Sequence, residues 1–269
     1  MENLPIGLLH LIGEYNKIVF PTDPDILAVE YEWLLFQGIE FNRPGQLKIL
    51  LEIHQSISID AVNYAAGNGH VECLKLLLKT GCPMDSYTAS DAAKEGHVEC
   101  LKILLKAGCP IDSYVAISAV MNGHVECLKL LLKAGCPLDP YMVFLAVMEG
   151  YVECLKLLIN AKCPIDQDVI TLAADQGDID CLQLLIAAGY WMDEESVTHA
   201  IVHGHSECLR LLLEADCSVT EQHTYCAIVN GHSECLRLLL EFNCPIGPDI
   251  ILVAQRNGHT ECVEILKAI

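Results

Sequence analysis

The heptapeptide Gly-His-Val-Glu-Cys-Leu-Lys at residues 69–75 returns unchanged at 96–102 and at 123–129. Variants of it begin at Gly150, Gly177, Gly204, Gly231 and Gly258, making eight copies at a period of 27 with no insertion or deletion. A fixed period of this kind means that each repeat buries its apolar face only against its neighbours, the arrangement of a solenoid. Eight copies of one segment offer no single cleft for catalysis. No Gly-rich phosphate loop, His-Glu-x-x-His or nucleophile elbow breaks the series. The chain reads as a non-enzyme with no catalytic residue and no cofactor.

Each copy reads as two short helices. In the second, Cys73, Leu74, Leu77 and Leu78 fall on one face at helical spacing, with Glu72, Lys75 and Lys79 on the other. Gly81 stands where a helix ends, and Pro83 follows it. The next first helix opens at a column of N-cap residues: Ser58, Asp85, Asp112, Asp139, Asp166, Asp193 and Thr220. Pro140 and Pro248 occupy the position after that column, where proline is tolerated. A small-residue column runs from Ala65 through Ala92, Ala119, Ala146, Ala173, Ala200 and Ala227 to Ala254. A methyl group at that point lets two helices approach closely.

The formal charge of −20, from 36 acidic and 16 basic residues, argues against a nucleic-acid partner, since no basic stripe offsets it. Charges interrupt every apolar run short of the ~18 residues that a membrane span needs, so no membrane association is expected. Met1 and Glu2 open the sequence without the basic stretch of a secretory signal, which gives an intracellular, cytoplasmic expectation. Fifteen cysteines in a chain of this length and type fit a reducing compartment better than a disulfide scaffold.

The run from Ala65 to Leu78, Ala-Ala-x-x-Gly-His-x-Glu-x-Leu-Lys-x-Leu-Leu, resembles the heart of the ankyrin repeat, in register over residues 42–269. The ankyrin unit has about 33 residues, longer than the period found here. The shortfall maps to the loop and β-hairpin finger between repeats, so the resemblance implies an all-α solenoid with shortened loops. The Gly-Cys-Pro-x-Asp ending is similar to short ankyrin units of amoebal giant viruses and of some algae and oomycetes. Host cytoplasm or nucleus is the implied location if the origin is viral. The resemblance also implies protein–protein recognition by a scaffold, acting as a monomer.

With the fingers nearly gone, recognition falls to the outward side of the first helices. At 100° per residue, Ala116, Ala119 and Val120 face the core, while Tyr114, Ile117, Ser118 and Met121 face away. The preceding repeat supplies Tyr87, Ser90, Asp91 and Lys94. The following one supplies Tyr141, Phe144, Leu145 and Met148, with Tyr151 in place of the usual histidine. Later stripes read as more polar, with Asp168, Thr171, Leu172 and Asp175, then Glu195, Thr198, His199 and Val202. Exposed aromatic and methionine side chains mark binding surfaces, so Tyr87, Tyr114, Met121, Tyr141, Phe144, Met148 and Tyr151 are the candidate partner contacts. A self-associating structural array is the third class of reading.

His70-x-x-Cys73 and its copies have the spacing of a metal pair, but Tyr151 and Asp178 break the histidine column while Cys154 and Cys181 persist. The cysteine column reads as a small buried hydrophobe, the histidine as a partner for backbone, and no metal site is expected. Cys226 alone lies outside both cysteine columns and is the candidate free thiol.

Upstream, residues 42–58 read as a degenerate capping repeat with Pro44 at its helix start. Residues 1–41 follow no repeat and read as an N-terminal helical cap. Within them Leu4-Pro5-x-x-Leu8-Leu9-x-x-Ile12-x-x-Tyr15 resembles the opening of an F-box. That resemblance implies an alternative function, substrate recognition for a cullin-type ubiquitin ligase, with Leu4, Pro5, Leu8, Leu9 and Ile12 contacting the ligase adaptor.

Overall fold

A computed structural model of the protein describes residues 24–53, 57–166 and 168–269. The F-box-like stretch, with Leu4, Pro5, Leu8, Leu9 and Ile12, lies outside the described residues. Among those described there are eighteen helices and no strand, in two compact units divided in sequence between Leu138 and Asp139. No described helix is long and apolar enough to cross a membrane.

The first unit contains α1 (Pro24–Glu40), α2 (Pro44–Ile53), α3 (Ile59–Gly67), α4 (Val71–Lys79), α5 (Ser86–Lys94), α6 (Val98–Lys106), α7 (Ser113–Met121) and α8 (Val125–Lys133). Its first helices α3, α5 and α7 pack side by side, as do its second helices α4, α6 and α8. Helices α1 and α2 pack on each other, α1 also on α3 and α2 on α4. Pro44 opens α2, and Asn42 (φ 47°) stands one period before Gly69 (φ 70°) in the same left-handed conformation.

The second unit contains α9 (Tyr141–Met148), α10 (Val152–Asn160), α11 (Val169–Gln176), α12 (Ile179–Ala187), α13 (Glu194–Val202), α14 (Ser206–Glu214), α15 (Glu221–Asn230), α16 (Ser233–Glu241), α17 (Ile250–Asn257) and α18 (Thr260–Lys267). Odd-numbered helices pack on odd, and even on even, along this unit. In the first unit, residues 80–85 join α4 to α5 with no strand, which is the shortened connection that the 27-residue period implies.

The buried columns explain the period. Every residue of the alanine column, from Ala65 to Ala254, is completely inaccessible. The Cys73 column and the leucines after it, such as Leu74 and Leu77, are buried as well. Leu78, placed by spacing on the same face, is only half-buried.

Capping follows the sequence at most positions. Asp85 Oδ1 accepts the Thr88 backbone N–H at 3.1 Å, and Asp112 and Asp193 cap α7 and α13 in the same way at 3.3 and 2.9 Å. Asp139 accepts from Tyr141 N at 2.9 Å, past Pro140, which has no N–H. Asp166 does not cap its helix: α11 begins later, at Val169, behind Asp168 in an αR conformation with no side-chain cap.

The repeat glycine and histidine are coupled between adjacent repeats. Gly69 has a left-handed φ of 70°, and a Cβ there would lie 2.7 Å from His97 Nδ1 of the following repeat. Gly96 meets His124 and Gly204 meets His232 in the same way. In the second unit these rings also reach backbone: His205, His232 and His259 place Nε2 2.9, 3.0 and 3.1 Å from the oxygens of Asp175, Val202 and Val229. The repeat histidine therefore packs one repeat on the next, and in the second unit it also hydrogen-bonds to backbone.

Candidate partner-binding surface

The outward face of the first unit is built on α5 and α7. Their inward residues Ala89, Ala92, Val115, Ala116, Ala119 and Val120 are fully buried, which fixes the rotation of both helices. On the opposite side Tyr87 is 64% exposed, Tyr114 54% and Met121 46%. The Tyr87 and Tyr114 rings meet edge to face with centroids 6.5 Å apart, so the two stand as a pair. Lys94, on α5, is exposed and 3.6 Å from Glu95.

In the second unit, Tyr141 (47% exposed) and Met148 (37%) stand on α9. Phe144 is half-buried and stacks on Tyr141, with centroids 5.8 Å apart and planes 13° from parallel. Tyr151 is also half-buried and precedes α10, its N–H bonded to the Ala146 oxygen at 2.7 Å.

Three positions assigned outward by the helical wheel are buried. Ser90 and Ser118 share a hydrogen bond at 2.8 Å between α5 and α7, and Ser118 also donates to the Tyr114 oxygen. Leu145 is buried too. A wheel treats each helix as if it had one covered side, whereas helices in a stack are covered on their flanks as well.

The later stripes are less polar at the surface than their sequence suggests. Val202, Val229, Tyr225 and Leu252 are all exposed. They fall in the columns of Met148 and Phe144, so following those columns to their end leads to them. Trp191, 70% exposed, stands in the column held elsewhere by Pro83, Pro110 and Pro137.

The outer faces of the second helices carry a ladder of ion pairs. Glu72–Lys75, Glu126–Lys129 and Glu153–Lys156 close at 2.6 Å and Glu99–Lys102 at 3.2 Å, all largely exposed. Such pairs add little stability each.

All fifteen cysteines are free. Burial pushes the thiols of Cys100, Cys109, Cys127, Cys136 and Cys154 up to about 11. Cys226 is half-buried and its pKa is raised by burial too, with Asn230 Nδ2 3.5 Å from its sulfur. A raised pKa lowers the thiolate fraction that nucleophilic chemistry requires.

No curated protein matches the chain. The family model for ankyrin repeats (3 copies) matches it repeatedly, at residues 35–115, 89–169, 143–223 and 170–249. Together these matches span most of the sequence, and they coincide with the stacked helix pairs of both units. The family model thus covers well over half of the sequence, and the chain belongs to the ankyrin repeat family.

Proposed function

We propose that the protein is a non-catalytic recognition scaffold that holds a protein partner on the outward faces of its first helices. Ankyrin repeats are generally protein-interaction modules, and the finer assignment rests on one observation. Tyr87 and Tyr114 stand as a contacting aromatic pair, each more than half exposed, on helices whose other sides are buried. The fold needs the buried sides; it has no use for two tyrosines in water. Met121 extends this anchor group on α7. Tyr141, Phe144 and Met148 form its counterpart on α9, with Tyr151 before α10.

Aromatic anchors dominate binding hot spots because they bring large contact area. The strongly acidic chain favours a partner that brings basic groups around an apolar centre. A photo-crosslinking residue placed at Tyr114 tests the assignment, with the same residue at Lys102 on the ion-pair ladder as control. In extracts of the source cell, the Tyr114 probe should trap a discrete protein that the Lys102 probe does not. Tyr87→Ala should prevent that trapping while leaving thermal unfolding nearly unchanged. Equal yields from the two probes would sink the proposal.

A further inference from the structure

One side-chain cluster in the second unit belongs neither to the repeat pattern nor to the tyrosine faces. Asp175 lies near the end of α11, and His199 and His203 lie one turn apart along α13 and its C-cap. Asp175 Oδ1 is 2.7 Å from His199 Nδ1 and 3.0 Å from His203 Nε2. One ligand atom from each of the three falls within 4.8 Å of the other two. All three side chains are partly exposed, so an ion can reach them from solvent.

The repeat supplies its own control. No other copy has aspartate in the column of Asp175, and none has histidine in the columns of His199 or His203. The other copies fold without these groups, so the architecture does not demand them. Three separate departures from the repeat converge on one point.

We propose that Asp175, His199 and His203 form a binding site for a divalent transition-metal ion of the zinc class. Two imidazole nitrogens and one carboxylate oxygen suit zinc, and solvent access leaves a fourth position for water. Bonds of about 2.0–2.1 Å in a tetrahedral site set ligand atoms roughly 3.3 Å apart. The present separations of 2.7 and 3.0 Å need to open by only a few tenths of an ångström. The ion takes the place of the proton at each ring nitrogen that faces the carboxylate; a neutral ring keeps that proton on its other nitrogen, and a charged ring gives it to solvent.

The surroundings fit that exchange. When His199 Nδ1 gives its lone pair to metal, the ring proton sits on Nε2, which faces Glu195 Oε1 at 3.9 Å. At that separation Glu195 is an electrostatic neighbour of the ring rather than a hydrogen-bond partner. On the other flank His205 stacks on His203 with centroids 6.0 Å apart, and its Nε2 lies 2.9 Å from the Asp175 backbone oxygen. The residue that bridges both histidines is thereby held at its main chain.

The test is a titration of the full chain, stripped with chelator and kept reduced, with zinc by calorimetry and with cobalt by absorption. One equivalent should bind, and the cobalt spectrum should lack a thiolate charge-transfer band. His199→Ser and His203→Asn install the residues that other copies carry at Ser118 and Asn230, so folding should be retained. Each should weaken zinc binding by about tenfold or more, since even outer-shell losses cost that much. Asp175→Val, which installs the residue found at Val202 in the next copy, is a third variant with the same expectation. Cys226→Ser should leave the affinity unchanged. Absence of saturable zinc binding, a thiolate band in the cobalt spectrum, or full affinity in the His199→Ser/His203→Asn double variant would each overturn the proposal.

Discussion

The thiol of Cys109 donates to the backbone oxygen of Asp85 across 3.2 Å, joining the end of a two-helix repeat to its own N-cap. The contact recurs from Cys136 to Asp112 at 3.0 Å, from Cys163 to Asp139 at 3.4 Å, from Cys217 to Asp193 at 3.2 Å and from Cys244 to Thr220 at 3.2 Å. The second cysteine column is therefore a clasp. It closes the base of each helical hairpin at the place where a longer ankyrin unit carries its finger. Only Tyr190 interrupts the column between Cys82 and Cys244.

Cys109→Ala removes the donor and leaves a small void beside the Asp85 carbonyl. Losing a weak S–H donor and a sulfur-sized volume should cost about 1–2 kcal/mol. Native-state hydrogen exchange should report faster opening of α5 and α6. Protection unchanged from the parent chain would mean that the clasp carries no stability.

The buried thiols make stability fall at alkaline pH. Cys100 and Cys127 hold their protons to about 11 when folded, against about 8.5 in an unfolded chain. A raised folded pKa stabilises fully below the unfolded value, and that contribution is lost as pH climbs toward the folded one. The urea midpoint should therefore drop between roughly pH 8.5 and 11. Cys100→Val with Cys127→Val should flatten the drop; an identical profile in that variant would remove the thiols as its cause.

Gly69 and Gly81 both adopt left-handed φ, at 70° and 76°, but only Gly69 has a neighbour, His97, within reach of an added Cβ. Gly81→Ala should cost roughly 1–2 kcal/mol, the conformational penalty alone. Gly69→Ala should cost distinctly more, because the His97 ring must move as well. Combining Gly69→Ala with His97→Ala should recover that excess in a double-mutant cycle. Equal penalties at the two glycines would show that the ring yields freely.

Tyr114→Ala should cost less than about 1 kcal/mol, since it forfeits one edge-to-face contact and little burial. Leu104→Ala, at a fully buried position of α6, should cost about 2–5 kcal/mol. Chemical denaturation of the two variants compares them directly. A loss at Tyr114 as large as that at Leu104 would assign the tyrosine to the core.

The helices, their caps and the alanine seam are legible in the sequence because the repeat states each of them several times over. Asp85, Asp112 and Asp193 cap as their type dictates. What is not legible is what a single helix cannot know. Ser118 and Leu145 point away from their own repeat's core and are buried all the same. Tyr87 and Tyr114 can be read from spacing because they stand high on that outward face. Asp175 and His199 can be read as polar outward positions, but their meeting with His203 escapes a reading by columns, because it joins three different columns across two copies.

Each hairpin with a cysteine at its base is thus shut by its own thiol, and a repeat histidine, as at His97, His124, His232 and His259, leans one repeat on the next. Closure is local and adhesion is between nearest neighbours, so the stack has natural breaking points. Under tension a repeat should let go as a block, clasp and helices together, before the one behind it yields. A freed repeat of 27 residues spans about 90 Å at full stretch. Pulled from one end, the chain should lengthen as a staircase, with the tread set by the same period that first appears in the sequence.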